Sequence, residues 1–168
     1  MTKHKPLPSQ ERLQELFDYS IVTGELRWKT TTSNRVKSGD IAGTLHRDNY
    51  ILVMVDGTVF RAHRLIWCLI TGIDPADNQI DHKDLNGTNN AWRNLRECSD
   101  AQNQCNKSKR ADCRAPYKGV RKMGLSYQSR IGLGGKSYHL GTFPTPEEAH
   151  AAYCKAAAEL HGDFARTH

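Results

Sequence analysis

Apolar positions near the N-terminus change from a helical to a strand-like spacing. Residues 10–17 carry leucine and phenylalanine at helical spacing, and Ser9 is suited to cap a helix there. Gly24 interrupts this pattern, and residues 25–28 then predict a short strand. Residues 30–40 are mostly polar and predict a loop. The chain is therefore expected to begin with a helix, a strand and a loop.

A β-rich pattern begins again at residues 50–61, where Asp56-Gly57 is typical of a tight hairpin turn. Apolar residues then recur at three- and four-residue spacing, which predicts a helix from about Ala62. Gly72 is suited to the position just after the end of this helix, because glycine readily adopts the left-handed backbone found there. A hairpin followed directly by a helix is expected.

Residues 79–106 combine two short strands with many asparagines. Residues 79–82 and 94–98 predict the strands, an Asn-Gly turn stands at residues 86–87, and Ser99 can cap a helix over about residues 100–107. Asparagine is a poor core residue and a poor helix former. The asparagines of this stretch are Asn86, Asn89, Asn90, Asn94, Asn103 and Asn106. The first three are predicted to be turn formers.

The pattern differs after Pro116. Three short strands are predicted at residues 117–122, 127–133 and 137–143, separated by glycines. Thr145-Pro146-Glu147-Glu148 forms a capping box with proline at the first helical position, and the helix is predicted to run to about His161. Its predicted inner face is a stripe of Ala149, Ala152, Ala156 and Leu160.

These patterns predict an α+β protein with two units. The first covers residues 1–106 and the second residues 116–168, a small three-stranded sheet backed by a helix. Residues 107–115 have no apolar pattern and are predicted to be a basic linker.

The charge of the chain is concentrated around that linker. The formal net charge is +6 and the isoelectric point about 9.1. Residues 107–122 contain one aspartate and seven basic residues, which accounts for the whole net charge. The basic residues are Lys107, Lys109, Arg110, Arg114, Lys118, Arg121 and Lys122. Charge gathered in one segment favours binding to nucleic acid over general solubility.

Two further features of the sequence bear on the redox state of the cysteines and on the location of the protein. The five cysteines form no C-x-x-C pair, so no structural zinc is expected and the thiols are expected to be reduced. Residues 1–10 lack the apolar segment of a signal peptide, and the longest apolar run, residues 65–70, is too short to cross a bilayer. The predicted location is the cytoplasm.

The strand at residues 79–82 ends in an acid and a histidine that suit phosphodiester hydrolysis. Asp81 and the amide oxygen of Asn103 are hard oxygen ligands for Mg²⁺ or Mn²⁺, one ion per chain. His82 titrates near neutrality and can take a proton from an attacking water. Neighbouring strand residues point to opposite faces, so the strand is expected to end or twist here.

The spacing of these residues resembles the HNH endonucleases, the ββα-metal nucleases of phage and intron homing enzymes. The resemblance covers about residues 20–106, with its core motif at residues 79–106, and implies a ββα-metal module preceded by β-hairpins. It implies that His82 is the general base and that Asp81 and Asn103 bind the metal. Asn94 matches the asparagine that braces the loop and helps orient the histidine. His63 is predicted to pack or cap.

The second unit resembles an AP2 DNA-binding domain, also found fused to phage HNH nucleases. The resemblance lies in YKGVR, SRI, HLGTF and TPEEAHAAY at residues 117–153, and implies a sheet that enters the major groove of double-stranded DNA. By position, the implied DNA contacts are Lys118, Arg121, Arg130, Tyr127 and His139. Lys122 and the linker residues Lys107, Lys109, Arg110 and Arg114 are expected to hold phosphates.

The combined prediction is a metal-dependent DNA endonuclease that nicks or acts in homing with a sequence bias, as a monomer or transient dimer on DNA. The alternative is a non-catalytic DNA-binding protein with an inactive HNH fold. An RNA-binding protein is a third reading, for which the chain lacks the RNA-recognition signature.

Overall fold

The computed structural model describes residues 5–99, 102–103 and 117–165, with Asp163 described by its backbone alone. The chain divides into two compact units, Met1–Cys98 and Ser99–His168. Helices and strands occur in both, which confirms the mixed α and β class. The linker residues 107–115, with the predicted contacts Lys107, Lys109, Arg110 and Arg114, lie outside the described residues. Among the described residues, no helix combines the length and apolar character needed to cross a membrane.

The first unit opens with α1, Gln10–Leu16, whose N-cap Ser9 accepts a hydrogen bond from the Arg12 N–H as predicted. The helix ends one residue earlier than predicted, because Phe17 is already extended. It begins β1, Phe17–Tyr19, which pairs antiparallel with β2, Leu26–Trp28. The rings of Phe17 and Trp28 lie 4.5 Å apart, so a long-range contact overrides the helical spacing of Phe17.

A second, three-stranded sheet has the order β3-β4-β5, with β3 at Thr44–Leu45, β4 at Ile51–Val55 and β5 at Thr58–Arg61. Asp56 and Gly57 both have positive φ, as a two-residue hairpin turn of this type requires. The helix α2, Ala62–Thr71, follows β5 directly and ends at Gly72 in the left-handed conformation. The predicted hairpin and helix are both confirmed.

The candidate site lies on β6, Gln79–His82, and β7, Leu95–Cys98, an antiparallel pair. The loop between them ends in a short 3-10 helix, Trp92–Asn94. Ile80 of β6 and Leu95 of β7 enter the same core as Leu65 and Ile66 of α2. Burial of this apolar face therefore fixes the register of the strand that carries Asp81 and His82.

Residues 117–165 of the second unit form an antiparallel sheet in the order β10-β9-β8, packed against a helix. Its strands are β8, Val120–Met123; β9, Ser126–Leu133; and β10, Lys136–Phe143. The helix α3, Pro146–His161, begins at Thr145, whose hydroxyl accepts from the Glu148 N–H, and a 3-10 turn, Gly162–Phe164, follows. The predicted three strands and capped helix are confirmed.

Ala149 is buried as predicted, but the rest of the predicted inner face of α3 is wrong by one position. The buried residues are Ala149, Tyr153 and Ala157, whereas Leu160 is 46% exposed. Tyr153 points inward because its ring packs on Gly119, where any Cβ would overlap the ring. This glycine, directly before β8, makes room for an aromatic residue, and this rotates the buried stripe of the helix.

Candidate active site

His82, the last residue of β6, is buried and bonded to a second buried side chain. Its Nε2 lies 2.9 Å from Oδ1 of Asn90, and each residue is only 3% exposed. The sequence predicts a turn former at Asn90, but in the structure its side chain points inward to the histidine. The contact joins the end of β6 to the loop that follows it.

Two aromatic rings pack against His82. The ring of His63, from α2, stands edge-on at 4.9 Å between centroids and 86° between planes. The ring of Tyr50 lies 5.9 Å from His82 and 5.3 Å from His63, and the Arg61 guanidinium sits 4.4 Å above Tyr50. His63 does pack, as predicted, but it packs on the candidate base itself.

The surroundings of His82 favour its neutral form. Burial lowers the pKa of His82 below the ordinary histidine value, although the bond to Asn90 and the charges of Asp84 and Asp81 oppose this shift. Burial, followed by electrostatic coupling to His82 and the charges of Arg61 and Arg64, lowers the pKa of His63 well below that value. A neutral imidazole near pH 7 has the lone pair that a general base needs.

Asn94 braces the loop between β6 and β7. Its Nδ2 donates to Asp84 Oδ1 at 2.9 Å and to the Asn89 carbonyl at 2.7 Å, and its Oδ1 accepts from the Asp84 N–H at 3.1 Å. Burial raises the pKa of Asp84, but hydrogen bonds from Asn86, Asn89 and Asn94 outweigh it and lower the pKa overall. The bracing contacts expected of Asn94 are present, whereas the side chain that is hydrogen-bonded to His82 is Asn90.

Asp81 lies in a buried ion pair. Its Oδ2 accepts from Arg96 Nε at 3.0 Å and Nη2 at 2.9 Å, and the two residues face each other across β6 and β7. The side chains are 6% and 12% exposed. The strand β6 ends at His82, so Asp81 and His82 stand at a strand end as expected. The Lys83 N–H still donates to the Asn94 carbonyl.

Asn103 lies in the second unit, in a helical turn that Ser99 caps. Gln102 Oε1 accepts from the Ser99 N–H, Ser99 Oγ accepts from the Gln102 N–H, and the Asn103 N–H donates to the Ser99 carbonyl at 2.9 Å. This reciprocal pair is a capping box. The start of the predicted helix is thus present, and the role of Asn103 as a metal ligand stays a prediction.

The sheet of the second unit divides its predicted DNA contacts between two faces. Arg121, Arg130 and His139 share the face opposite the buried Ser129 and Ile131. Arg130 pairs with His139 across the strands, and both are exposed. Two arginines, Arg121 and Arg130, and His139 are therefore presented on one exposed face of the sheet.

The other predicted contacts of this sheet lie elsewhere. Tyr127 pairs with Lys122, and both share the face of Ser129, which packs toward α3. Lys118 precedes β8, and its carbonyl lies 3.3 Å from Nδ1 of His150. The strict alternation of strand side chains separates Tyr127 from Arg130, which positional matching alone does not reveal.

Sequence reasoning missed the roles of Asn90, His63 and Tyr50 around His82. Each is brought there by tertiary packing rather than by a fixed spacing from the histidine. The one available signal was the apolar helix context of His63, since a histidine on the inner face of an amphipathic helix must contact something buried.

Comparison with known proteins bears on this segment. Residues 60–105 match the family model described as HNH endonuclease. A protein of Acanthamoeba polyphaga mimivirus named as an uncharacterized HNH endonuclease is 38% identical over 105 residues, covering 61% of this chain and 54% of that protein. The chain thus spans about half the length of this relative.

A solved structure, described as DNA binding and cleavage by the HNH homing endonuclease I-HmuI, aligns over 91% of this chain and 87% of that chain. The identity is 21% and the TM-score 0.41. The matched family segment runs from β5 through the capped turn at Ser99, so it includes every residue of the predicted H-N-N motif. The part of the chain that carries His82, Asn94 and Asn103 therefore matches the HNH endonuclease family model.

Proposed function

We propose that this protein is a metal-dependent endonuclease that hydrolyses phosphodiester bonds of double-stranded DNA. The observation that carries the proposal is the buried His82, held by Asn90 at the end of β6 beside Asp81, within the segment that matches the HNH family. A buried histidine whose pKa is lowered suits a general base that works near neutral pH.

The proposed reaction is a hydrolysis. A water oxygen forms a bond to phosphorus while His82 takes one of its protons, and the bond from phosphorus to one sugar oxygen breaks. The leaving oxygen takes a proton from solvent, which completes the balance. A bound Mg²⁺ or Mn²⁺ supplies charge neutralisation at the phosphate and at the leaving oxygen.

The donor set supports an ion of this kind. Asp81 offers a carboxylate, Asn103 offers an amide oxygen, and both are hard ligands of the type that Mg²⁺ prefers. Arg96 places a positive charge on Asp81 Oδ2, which opposes cation binding at that oxygen. Binding of the ion is therefore expected to require that Arg96 shift or that a phosphate share the site.

The second unit is proposed to place the enzyme on DNA, as an AP2-like domain would. The exposed face with Arg121, Arg130 and His139 belongs to a small antiparallel sheet, and β-ribbons can enter the major groove, where arginine can bond guanine bidentately. The basic linker at residues 107–115 would add contacts to phosphates without sequence information. The proposed enzyme is a sequence-biased nicking or homing endonuclease that cuts one strand per chain.

The ion pair between Asp81 and Arg96 favours one alternative. If the arginine holds the carboxylate permanently, no metal binds there and the protein is a DNA-binding protein with an inactive HNH fold. The two functions share every DNA contact and differ only in chemistry.

A plasmid assay separates them. Supercoiled DNA is incubated with the protein and Mg²⁺ or Mn²⁺ at low salt, and nicked circles are measured. The proposal predicts nicking that is lost in His82→Ala and retained in Arg130→Ala, with DNA binding retained in His82→Ala. Gel shifts without nicking by the wild-type protein at every metal concentration would identify the inactive DNA-binding protein instead.

A further inference from the structure

We propose that Asn90 is a positioning residue that holds His82 as the tautomer with its proton on Nε2, so that Nδ1 is the atom that accepts the proton of water. The inference rests on the proposed nuclease function for its catalytic meaning. Its structural content, which tautomer is present and what selects it, is measurable in the protein without metal or DNA.

The contact itself carries the assignment. An asparagine Oδ1 only accepts hydrogen bonds, so the His82 nitrogen 2.9 Å away must donate, and that nitrogen is Nε2. A neutral imidazole has one proton, so Nδ1 then carries the lone pair. Because both side chains are 3% exposed, water cannot readily replace the bond if it is lost, and the preference for this tautomer is strong.

Asn90 is itself held in place from a distant part of the unit. The Tyr19 hydroxyl donates to the Asn90 carbonyl at 2.8 Å, and burial raises the pKa of Tyr19 to about 12, so this hydroxyl stays protonated. Gly24 lies so close that any Cβ on it would overlap the backbone of Asn90 and Ala91. The hairpin of β1 and β2 therefore positions the residue that orients the base.

The rings around His82 keep it in this orientation. Turning the imidazole over about its Cβ–Cγ bond would exchange Nε2 with a carbon and leave the buried Oδ1 of Asn90 without its donor. The ring of His63 stands edge-on to the His82 ring with 4.9 Å between centroids, and the centroid of the Tyr50 ring lies 5.9 Å away. The His82 ring therefore has little space in which to turn. Packing thus limits the rotation and Asn90 selects the proton position.

Three variants separate positioning from folding. Asn90→Leu keeps the size of the side chain and removes the acceptor, whereas Asn90→Asp keeps an oxygen acceptor at the same place. Asn86→Ala changes an exposed turn residue of the same loop whose side chain bonds Thr88 and Asn49 rather than His82. It serves as the control for general disturbance of the loop.

The first measurement is the tautomer of His82 by long-range ¹H–¹⁵N correlation of the imidazole rings in metal-free protein. His82→Gln identifies the signals. We expect the Nε2–H pattern in the wild type, in Asn90→Asp and in Asn86→Ala, and loss of that single pattern in Asn90→Leu. An Nδ1–H pattern in the wild type, or an unchanged pattern in Asn90→Leu, would overturn the proposal.

The second measurement is plasmid nicking. We expect Asn90→Leu to lower kcat by about 10- to 100-fold with KM little changed, as loss of an oriented base requires, and Asn90→Asp to recover most of it. A wild-type kcat in Asn90→Leu would refute the positioning role. If the wild-type protein does not nick at all, the proposed function fails, while the spectra still decide whether Asn90 sets the tautomer.

Discussion

The buried ring of His63 links the candidate base to the pH dependence of stability. Within the part of the chain that the structure describes, Nδ1 of His63 has no hydrogen-bond partner, and burial lowers its pKa well below the ordinary value near 6.5. At acid pH the unfolded chain therefore binds a proton that the folded chain resists. His63 therefore does not lower the free energy of unfolding above about pH 6.5, and lowers it progressively as the pH falls below that value.

The expected result is a fall in the free energy of unfolding of up to about 1.4 kcal/mol per pH unit below pH 6.5 from this one group. His63→Phe removes the titrating group and keeps a ring, so its melting temperature should fall less between pH 7.5 and 5.5. His46→Gln, at a half-buried surface position beside Asp48, is the control and should behave as the wild type does. Equal pH dependence in His63→Phe and the wild type would exclude this source.

Arg96 tests the charge balance at Asp81. Arg96→Met removes the cation from a buried carboxylate, and this should lower the free energy of unfolding by about 3 kcal/mol without metal. If Asp81 binds metal, added Mg²⁺ or Mn²⁺ should raise the melting temperature of Arg96→Met more than that of the wild type. The double variant Asp81→Asn with Arg96→Met should lose this extra response. An equal metal response in all three proteins would remove Asp81 from the metal site.

Two glycines offer a matched test at the scale of elements. Gly24 and Gly39 have similar positive φ values, 80° and 88°, but a Cβ on Gly24 would overlap the backbone at Asn90, whereas Gly39 has nothing within 4 Å. Gly39→Ala should cost only backbone strain, about 1 kcal/mol. Gly24→Ala should lower the free energy of unfolding, measured with urea, clearly more than Gly39→Ala does. It should also lower the nicking rate, since it displaces Asn90. Equal costs would show that the hairpin of β1 and β2 does not support the site.

Elements with local signals were predictable, and elements set by distant contacts were not. Asp56-Gly57 and Thr145 carry their own turn and cap chemistry, so the hairpin of β4 and β5 and the start of α3 follow from a few neighbouring residues. The strand β1 and the inner face of α3 depend instead on Phe17 meeting Trp28 and on Tyr153 meeting Gly119.

The same division holds for the site. The spacing of acid and histidine predicted Asp81 and His82 at the end of a strand, where the structure has them. Asn94 was predicted to begin the second strand, but it ends the 3-10 helix directly before β7. The spacing could not distinguish Asn90 from its neighbours, because Asn89 and Asn90 have the same local chemistry and only the fold turns one outward and one inward. Asn90 is 3% exposed, whereas Asn89 bonds the more exposed Asp84.

At the scale of the whole molecule, binding and chemistry are expected to respond to different residues. Arg121→Ala and Arg130→Ala should weaken DNA binding, and each should lower the slope of log affinity against log salt by about 1 if the arginine contacts a phosphate. A base contact would instead relax sequence preference with little change in slope.

Lys122→Ala is the control for this comparison, because it removes the same charge from the next position of β8. Lys122 lies on the face shared with Ser129, whereas Arg121 lies on the open face with Arg130. Fluorescence anisotropy over a salt series with each variant measures all three slopes. A larger loss of DNA affinity in Lys122→Ala than in Arg121→Ala would place the DNA on the other side of the sheet. Nicking at saturating protein should stay near the wild-type rate in each of these variants, since none of the three residues touches His82.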